Sequence, residues 1–274
     1  MGDQGVSGNL PAGRSVRVVV LTGAGISAES GLPTFRGVGG IWEGRRAEDV
    51  ATPEAFRRDP AMVWRFYNAR RRMLDTVQPN PAHHALAVLE NYQEPERFTL
   101  ITQNVDDLHQ RAGSLSLIPM HGELRKVRCT GCGMIEARPE ELEELPRCSC
   151  GALLRPHVVW FGEVPLELDR IARVLRRAQV FLVIGTSGHV YPAAAFIHDA
   201  RAAGASTVGV NIQEPEVDWV YDEFHLGKAG EVIPALVERW THCPDEDGPT
   251  PAVPPSHTDS NERPDRTLNP GTSP

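Results

Sequence analysis

Lysine is nearly missing from this chain: of 28 basic residues only Lys126 and Lys228 are lysine. That skew reflects genome composition, and no function is read from it. Long apolar runs are missing too, which excludes a membrane-spanning helix. Basic residues do not outweigh acidic ones. The net charge is −8 and the pI about 5.7, which argues against a general nucleic-acid binder and leaves only a local basic patch open. The stretch Met1–Gly13 is polar and glycine-rich and lacks the apolar core of a secretory signal, so a cytoplasmic setting is expected. No internal repeat is visible. At 274 residues and 41% hydrophobic content the chain can bury a full core, as one large domain or one with insertions. Cysteine is scarce, with five in all, yet four of them are crowded together.

Those four follow the order Cys129-x2-Cys132-x15-Cys148-x-Cys150, after a strand expected to end at His121-Gly122. Two thiolate pairs joined by a short loop match four-coordinate structural zinc. The second pair is Cys-x-Cys instead of Cys-x-x-Cys, which tightens one knuckle. A disulfide framework is the competing reading, and it fits poorly without a secretory signal. With all four positions on the metal taken by protein, zinc here holds structure and does no chemistry. Cys243 lies outside the cluster and is expected as a free thiol.

Residues 1–14 and 244–274 are rich in small and polar residues and are expected to be disordered. Between them, β-branched runs recur at Val16–Leu21, Phe98–Thr102, Leu117–Met120, Val180–Ile184 and Thr207–Ile212. Helical patterns at Pro81–Glu90, Leu166–Ala178 and Pro192–Ala203 separate most of them. This alternation reads as an α/β fold with a doubly wound, parallel, Rossmann-like sheet. Two stretches break the rhythm: an arginine-rich helical insertion at 38–77 and the cysteine module at 123–155, which together form a smaller lobe. The core is expected at 15–37, 78–122 and 156–243.

The first strand runs directly into Gly23-Ala24-Gly25-Ile26-Ser27-Ala28-Glu29-Ser30-Gly31. A strand, then glycines, then a helix start lets backbone N–H groups approach a pyrophosphate. The pattern departs from the dehydrogenase fingerprint. Its third glycine falls late, at Gly31, and no acidic residue stands on a second strand about twenty residues on. A hydride-transfer enzyme is disfavoured. Three more strand ends carry polar groups: Gln103-Asn104-Val105-Asp106, Gly185-Thr186-Ser187 and Asn211-Ile212-Gln213. Each could merely cap a helix. Convergence of four such ends at the carboxyl edge of a parallel sheet favours a ligand crevice.

Taken together these segments resemble the sirtuin family of NAD-dependent protein lysine deacylases. The resemblance rests on Gly-Ala-Gly-Ile-Ser at 23–27, Pro-Thr-Phe-Arg at 33–36, Gln-Asn-Val-Asp at 103–106 and His-Gly at 121–122. It continues through the four cysteines, Pro-His-Val-Val-Trp-Phe-Gly-Glu at 156–163 and Gly-Thr-Ser at 185–187, spanning Val16 to Trp240 in family order. It implies attack by an acyl-lysine amide oxygen on the nicotinamide ribose, nicotinamide release, and finally free lysine and O-acyl-ADP-ribose. His121 matches the base that activates a ribose hydroxyl, a role suited to an imidazole. Asn104 and Asp106 match residues that order ribose, water and the nicotinamide carboxamide. The resemblance places Gln103 on the ribose, Phe35 over the reactive carbon, Ser187 and Asn211 on the adenosine, and the Ala229 backbone on adenine. It extends the NAD-binding set to Gly23, Ala24, Gly25, Ile26, Ser27, Glu29, Thr34, Arg36, Trp42, Val105, Gly185, Thr186, Ile212 and Gln213. Val159, Trp160, Phe161, Gly162 and Glu163 resemble a strand that pairs with substrate peptide, opposite a second formed by Gly188, His189 and Val190.

The helix expected at Pro60–Val77 carries an apolar stripe of Val63, Phe66, Tyr67, Met73, Leu74 and Val77, with Asp59 as its cap. Arg70 falls inside that stripe, whereas Arg65, Arg71 and Arg72 point elsewhere. A guanidinium on an apolar face needs an anion, unless it snorkels or forms a structural ion pair. The Tyr67-x-x-Arg70 pair resembles the class III sirtuins, in which these residues bind the carboxylate of succinyl and malonyl groups. Ala47 and Ala51 leave room for a longer acyl chain. Partners are therefore acylated lysines on proteins, for an enzyme expected to be monomeric, with neither nucleic acid nor membrane involved. Two alternatives remain: an ADP-ribosyltransferase using the same NAD site, and a non-catalytic zinc module that senses NAD.

Overall fold

A computed structural model describes residues 13–34, 41–42, 45–142, 145–186, 195–215 and 221–241, with backbone alone at 41–42 and 45–48. Phe35, Arg36, Ser187, Gly188, His189, Val190, Cys243, the expected tails at 1–12 and 244–274, and the Trp42 side chain lie outside the described residues.

Six strands form the main sheet: β1 (Val18–Thr22), β4 (Phe98–Thr102), β5 (Leu117–Pro119), β9 (Val180–Ile184), β10 (Ser206–Asn211) and β11 (Glu223–Leu226). Their order is β11-β10-β9-β1-β4-β5, and every pairing is parallel. In central β1, Val20 stands opposite both Leu100 and Leu182. Alternate residues feed two cores, as the pleat requires. Val18, Val20, Leu100 and Leu182 pack under α5 (Pro81–Tyr92) and α9 (Ala229–Thr241). Val19, Leu21, Ile101 and Phe181 pack under α7 (Leu168–Leu175) and α8 (Phe196–Ala202). The chain runs from β1 out through β4 to β5, then returns to place β9 on the other side of β1. The topological switch point therefore lies between β1 and β9, where open α/β sheets bind ligands. Two short helices, α1 (Gly25–Ala28) and α6 (Leu108–Ala112), follow β1 and β4.

The smaller lobe contains the β2 (Ile41–Trp42) and β3 (Arg45–Arg46) pair, then α2 (Ala47–Val50), α3 (Pro53–Arg58) and α4 (Pro60–Thr76). Its antiparallel sheet has the order β7-β6-β8, from β6 (Gly122–Cys129), β7 (Ile135–Ala137) and β8 (Leu154–Val158). Helix α4 starts as its sequence dictates: the Asp59 carboxylate accepts from Met62 N at 2.9 Å, and Pro60 occupies the first turn. It buries a second face beyond the expected stripe. Trp64 is fully buried and its Nε1 donates to Leu154 O at 2.9 Å. Arg71 does turn away from the stripe, but into the cysteine module, where its guanidinium donates to the Arg138 and Glu140 carbonyls at 2.8 Å. Burial lowers its pKa to about 10. Among the described residues no helix is long and apolar enough to cross a membrane.

Three local expectations need correcting. The strand expected to end at His121-Gly122 stops at Pro119, and His121 sits in the turn to β6. Residues 159–163 form no strand, because β8 ends at Val158 and Glu163 N bonds back to Trp160 O at 2.9 Å. Strand β8 belongs to the small antiparallel sheet and straddles residue 156, where the sequence pattern resumed the core.

Candidate active site and metal centre

A cavity of about 870 Å³ opens at the carboxyl ends of β1, β4, β9 and β10 and runs under α4. It stands near the top of the roughly 300–1,000 Å³ range of ligand pockets. Its sheet-side wall depends on three glycines. A Cβ on Gly25 would lie 2.6 Å from Gly185 Cα, and one on Gly23 2.7 Å from Gly185 O. The loops after β1 and β9 thus meet backbone to backbone, fixed by Gly25 N donating to Gly185 O at 2.8 Å. Gly185 adds a left-handed φ of 59°. Bare backbone at a switch point suits a dinucleotide.

Ser27 is the hub of the floor. Its Oγ donates to Asp106 Oδ2 at 3.0 Å, accepts from Asn104 Nδ2 at 3.1 Å, and faces His83 Nε2 at 3.5 Å. Asn104 Nδ2 also donates to Gly23 O, so the β4 end is tied to the glycine loop. Asp106 further accepts from Leu108 N at 3.1 Å. Burial raises its pKa, while these hydrogen bonds pull the other way. Gln103 Nε2 donates to Thr186 Oγ1 at 3.1 Å, and Asn211 Nδ2 to Thr186 O at 3.0 Å.

His121 Nδ1 lies 2.9 Å from Gln103 O. A carbonyl only accepts, so Nδ1 carries the proton and Nε2 keeps its lone pair. Burial lowers the His121 pKa, with the Gln103 bond opposing. The ring lines the cavity as an imidazole that burial keeps neutral.

On the lobe side stand Tyr67 and Arg70, the first fully buried and the second 9% exposed, with Met73, Leu74 and Ala51 around them. Residues 159–163 shape the mouth. Val159 N donates to His121 O and Phe161 N to Ala51 O. The Glu163 carboxylate is committed elsewhere: it takes both Arg155 Nη groups at 2.6 and 2.9 Å and accepts from Trp160 N.

Of the expected dinucleotide residues, Gly23, Ala24, Gly25, Ser27, Glu29, Thr34, Gln103, Asn104, Val105, Asp106, Gly185, Thr186, Asn211, Ile212, Gln213 and Ala229 line this cavity. Ile26 does not. Its side chain is fully buried in the core beneath α5. Glu29 reaches the wall, but its Oε2 accepts from Gly230 N at 2.7 Å and so caps α9. Sequence reading missed Leu124, Pro165, Gly227 and Lys228 on the wall. Lys228 follows β11, whose Glu-Phe-His-Leu run gives no apolar signal.

The four cysteines converge away from this cavity. Their sulfurs all lie within 4.8 Å of one another, with Cys129–Cys150 at 3.5 Å and Cys132–Cys148 at 3.7 Å. A tetrahedral zinc with bonds of roughly 2.3 Å requires sulfurs about 3.8 Å apart, so the set fits. The amides of Gly131 and Cys132 point at Cys129 Sγ, at 3.3 and 3.4 Å, and favour its thiolate.

This combination of a Rossmann-like sheet, a glycine-lined switch point and a four-cysteine lobe agrees with comparison to known proteins. A model of the Sir2 family matches residues 23–192. An NAD-dependent protein deacylase of Salmonella typhimurium is 52% identical over 229 residues, covering 82% of this chain and 84% of that one. One from Escherichia coli is 53% identical over 228 residues, covering 81% of each. A solved Sir2 homolog–NAD complex aligns with a TM-score of 0.75 at 46% identity, over 81% of this chain and 88% of that one. A structure described as Sir2-p53 peptide-NAD+ aligns at 0.70 with 32% identity, over 81% and 92%. The chain belongs to the Sir2 family.

Proposed function

We propose that this protein is an NAD-dependent protein lysine deacylase that acts on succinyl-, malonyl- and acetyl-lysine. Relatives named for NAD-dependent deacylation and solved complexes with NAD support the general activity. One observation carries the reading. A single cavity holds a bare glycine loop, a histidine with Nε2 unprotonated, and an arginine on an otherwise apolar wall.

NAD, when bound, supplies the electrophilic ribose carbon. The loops at Gly23–Gly25 and Gly185–Thr186 receive its phosphates, and Asn211, Ile212, Gln213 and Ala229 receive the adenosine. Asn104 and Asp106, held by Ser27, orient the nicotinamide ribose, and His121 Nε2 takes a proton from a ribose hydroxyl. Phe35, which lies outside the described residues, keeps the role that the family resemblance implies, shielding the reactive carbon from water. The 159–162 segment takes the peptide chiefly through its carbonyls, since the amides of Val159, Trp160 and Phe161 are bonded within the protein. His189 and Val190 remain the second partner strand that the family resemblance implies. Arg70 and Tyr67 receive the acyl carboxylate; Arg70 is the more exposed and meets it first. Zinc on Cys129, Cys132, Cys148 and Cys150 holds the smaller lobe. The catalytic domain is 15–243.

The test is mass spectrometry of the products from NAD and acetyl-, succinyl- and malonyl-lysine peptides. Free lysine with matching O-acyl-ADP-ribose is expected. ADP-ribose on a protein acceptor would identify a transferase, and absence of nicotinamide release would identify a sensor.

A further inference from the structure

The Tyr67 hydroxyl has one proton to give and can accept bonds in return. Trp160 Nε1 donates to it at 2.9 Å, with both residues buried. An indole N–H cannot accept, nor can the neighbouring Arg70 guanidinium, so neither takes the Tyr67 proton. Trp160 is itself clamped. The Arg155 guanidinium lies 3.4 Å from its ring centroid and donates to Val158 O, and Glu163 holds Arg155 and the Trp160 amide together. Phe56 closes on the indole with ring centroids 5.4 Å apart. The indole therefore has little freedom to turn.

We propose that Trp160 is a positioning residue for acyl selectivity: its N–H occupies the acceptor side of the Tyr67 hydroxyl and leaves that hydroxyl's proton for the acyl carboxylate. The Arg155–Glu163 pair keeps the indole in the plane where this works. The inference rests on the proposed deacylase reading and adds a residue that need not touch the acyl group. It also gives a role to the partly buried Arg155–Glu163 ion pair behind the 159–163 segment.

The test compares kcat/KM for succinyl and acetyl peptides in wild type, Trp160→Phe, Tyr67→Phe and the double variant. Loss of one neutral hydrogen bond predicts a fall of roughly three- to tenfold in the succinyl-to-acetyl ratio for Trp160→Phe. The double variant should fall no further than Tyr67→Phe alone, since Trp160 acts through Tyr67. Should Trp160→Phe not fold, 3-benzothienylalanine at this position keeps the bicyclic shape, lacks the N–H and gives the same readout. A ratio that moves in Tyr67→Phe but not in the Trp160 variants overturns the inference alone. Additive losses also overturn it. A ratio insensitive to Arg70→Met and Tyr67→Phe overturns the carboxylate-pocket reading and the inference with it.

Discussion

The His121 ring nitrogen Nδ1 and the Gln103 carbonyl, 2.9 Å apart, fix which nitrogen of the candidate base is free. The bond anchors the ring to the end of β4, the strand that also presents Asn104 and Asp106. His121→Ala should cut deacylation by roughly two to four orders of magnitude, the usual scale for general acid–base catalysis. Dinucleotide binding, measured by calorimetry, should stay near wild type. Burial lowers the His121 pKa below its ordinary 6.5, so the base is neutral at neutral pH. The profile of kcat/KM should rise with pH through an apparent pKa below 6.5 and be flat above it. Near-normal turnover in the alanine variant would reduce His121 to a packing residue.

Beneath the site, His83 Nδ1 accepts from Asn80 N at 3.3 Å, and burial lowers its pKa from 6.5 to about 4. Its ring lies 4.8 Å from that of His109, whose pKa burial also pushes well down. Between the two pKa values of His83 the unfolded chain binds more protons than the folded one. The stability from neutral His83 is therefore complete above 6.5 and lost as pH falls toward 4, by roughly 3 kcal/mol at most. Thermal melts at about pH 7.5 and about pH 5 should show a large drop, and His83→Gln should lessen it, with buried His109 accounting for part of the remainder. An unchanged slope would mean the lost stability comes from other groups.

The zinc lobe is coupled to α4 through Arg71 and Trp64, which bond to carbonyls of the module. Cys148→Ser removes one of four thiolates, and metal binding and folding of such modules are linked. One zinc per chain is expected by metal analysis, with weaker retention and a lower melting temperature in the variant. Chelation should loosen α4 along with the module, visible as faster amide exchange at Trp64 and Arg71. Protein purified without chelator and free of zinc would refute the assignment.

The parallel sheet was legible because β1 and β9 are buried on both faces and so read as unbroken apolar runs. The helix at 60–76 was legible from Asp59-Pro60 and its stripe. Strand β11 was not, since this edge strand is Glu-Phe-His-Leu and half-buried. Trp64 and Arg71 escaped because a single stripe was assigned to a helix that buries two faces. Ile26 was misplaced for a related reason: a motif residue beside a ligand loop can still point its side chain into the core. The fixed proton on His121 and the commitment of Glu29 to α9 are properties of long-range geometry, which no spacing encodes.

In the proposed function, Arg70 is the residue that separates the acyl groups. In a cavity shielded from water, a charge-assisted pair with a carboxylate is the largest affinity term open to a succinyl group. An acetyl group offers Arg70 nothing, so the two substrates should differ by a few kcal/mol. Arg70→Met keeps an unbranched apolar stem beside the Phe66 ring, is shorter, and removes the charge. Desuccinylation should fall by roughly two orders of magnitude or more, and deacetylation should fall far less or improve. Tyr67→Phe should act in the same direction more mildly. The burial that raises the Tyr67 pKa to about 12 keeps its proton in place to donate throughout the neutral range. The measurement is kcat/KM on two peptides that differ only in the acyl group, with NAD saturating. Equal losses on both peptides would mean that Arg70 holds the wall of the cavity and does not read the substrate.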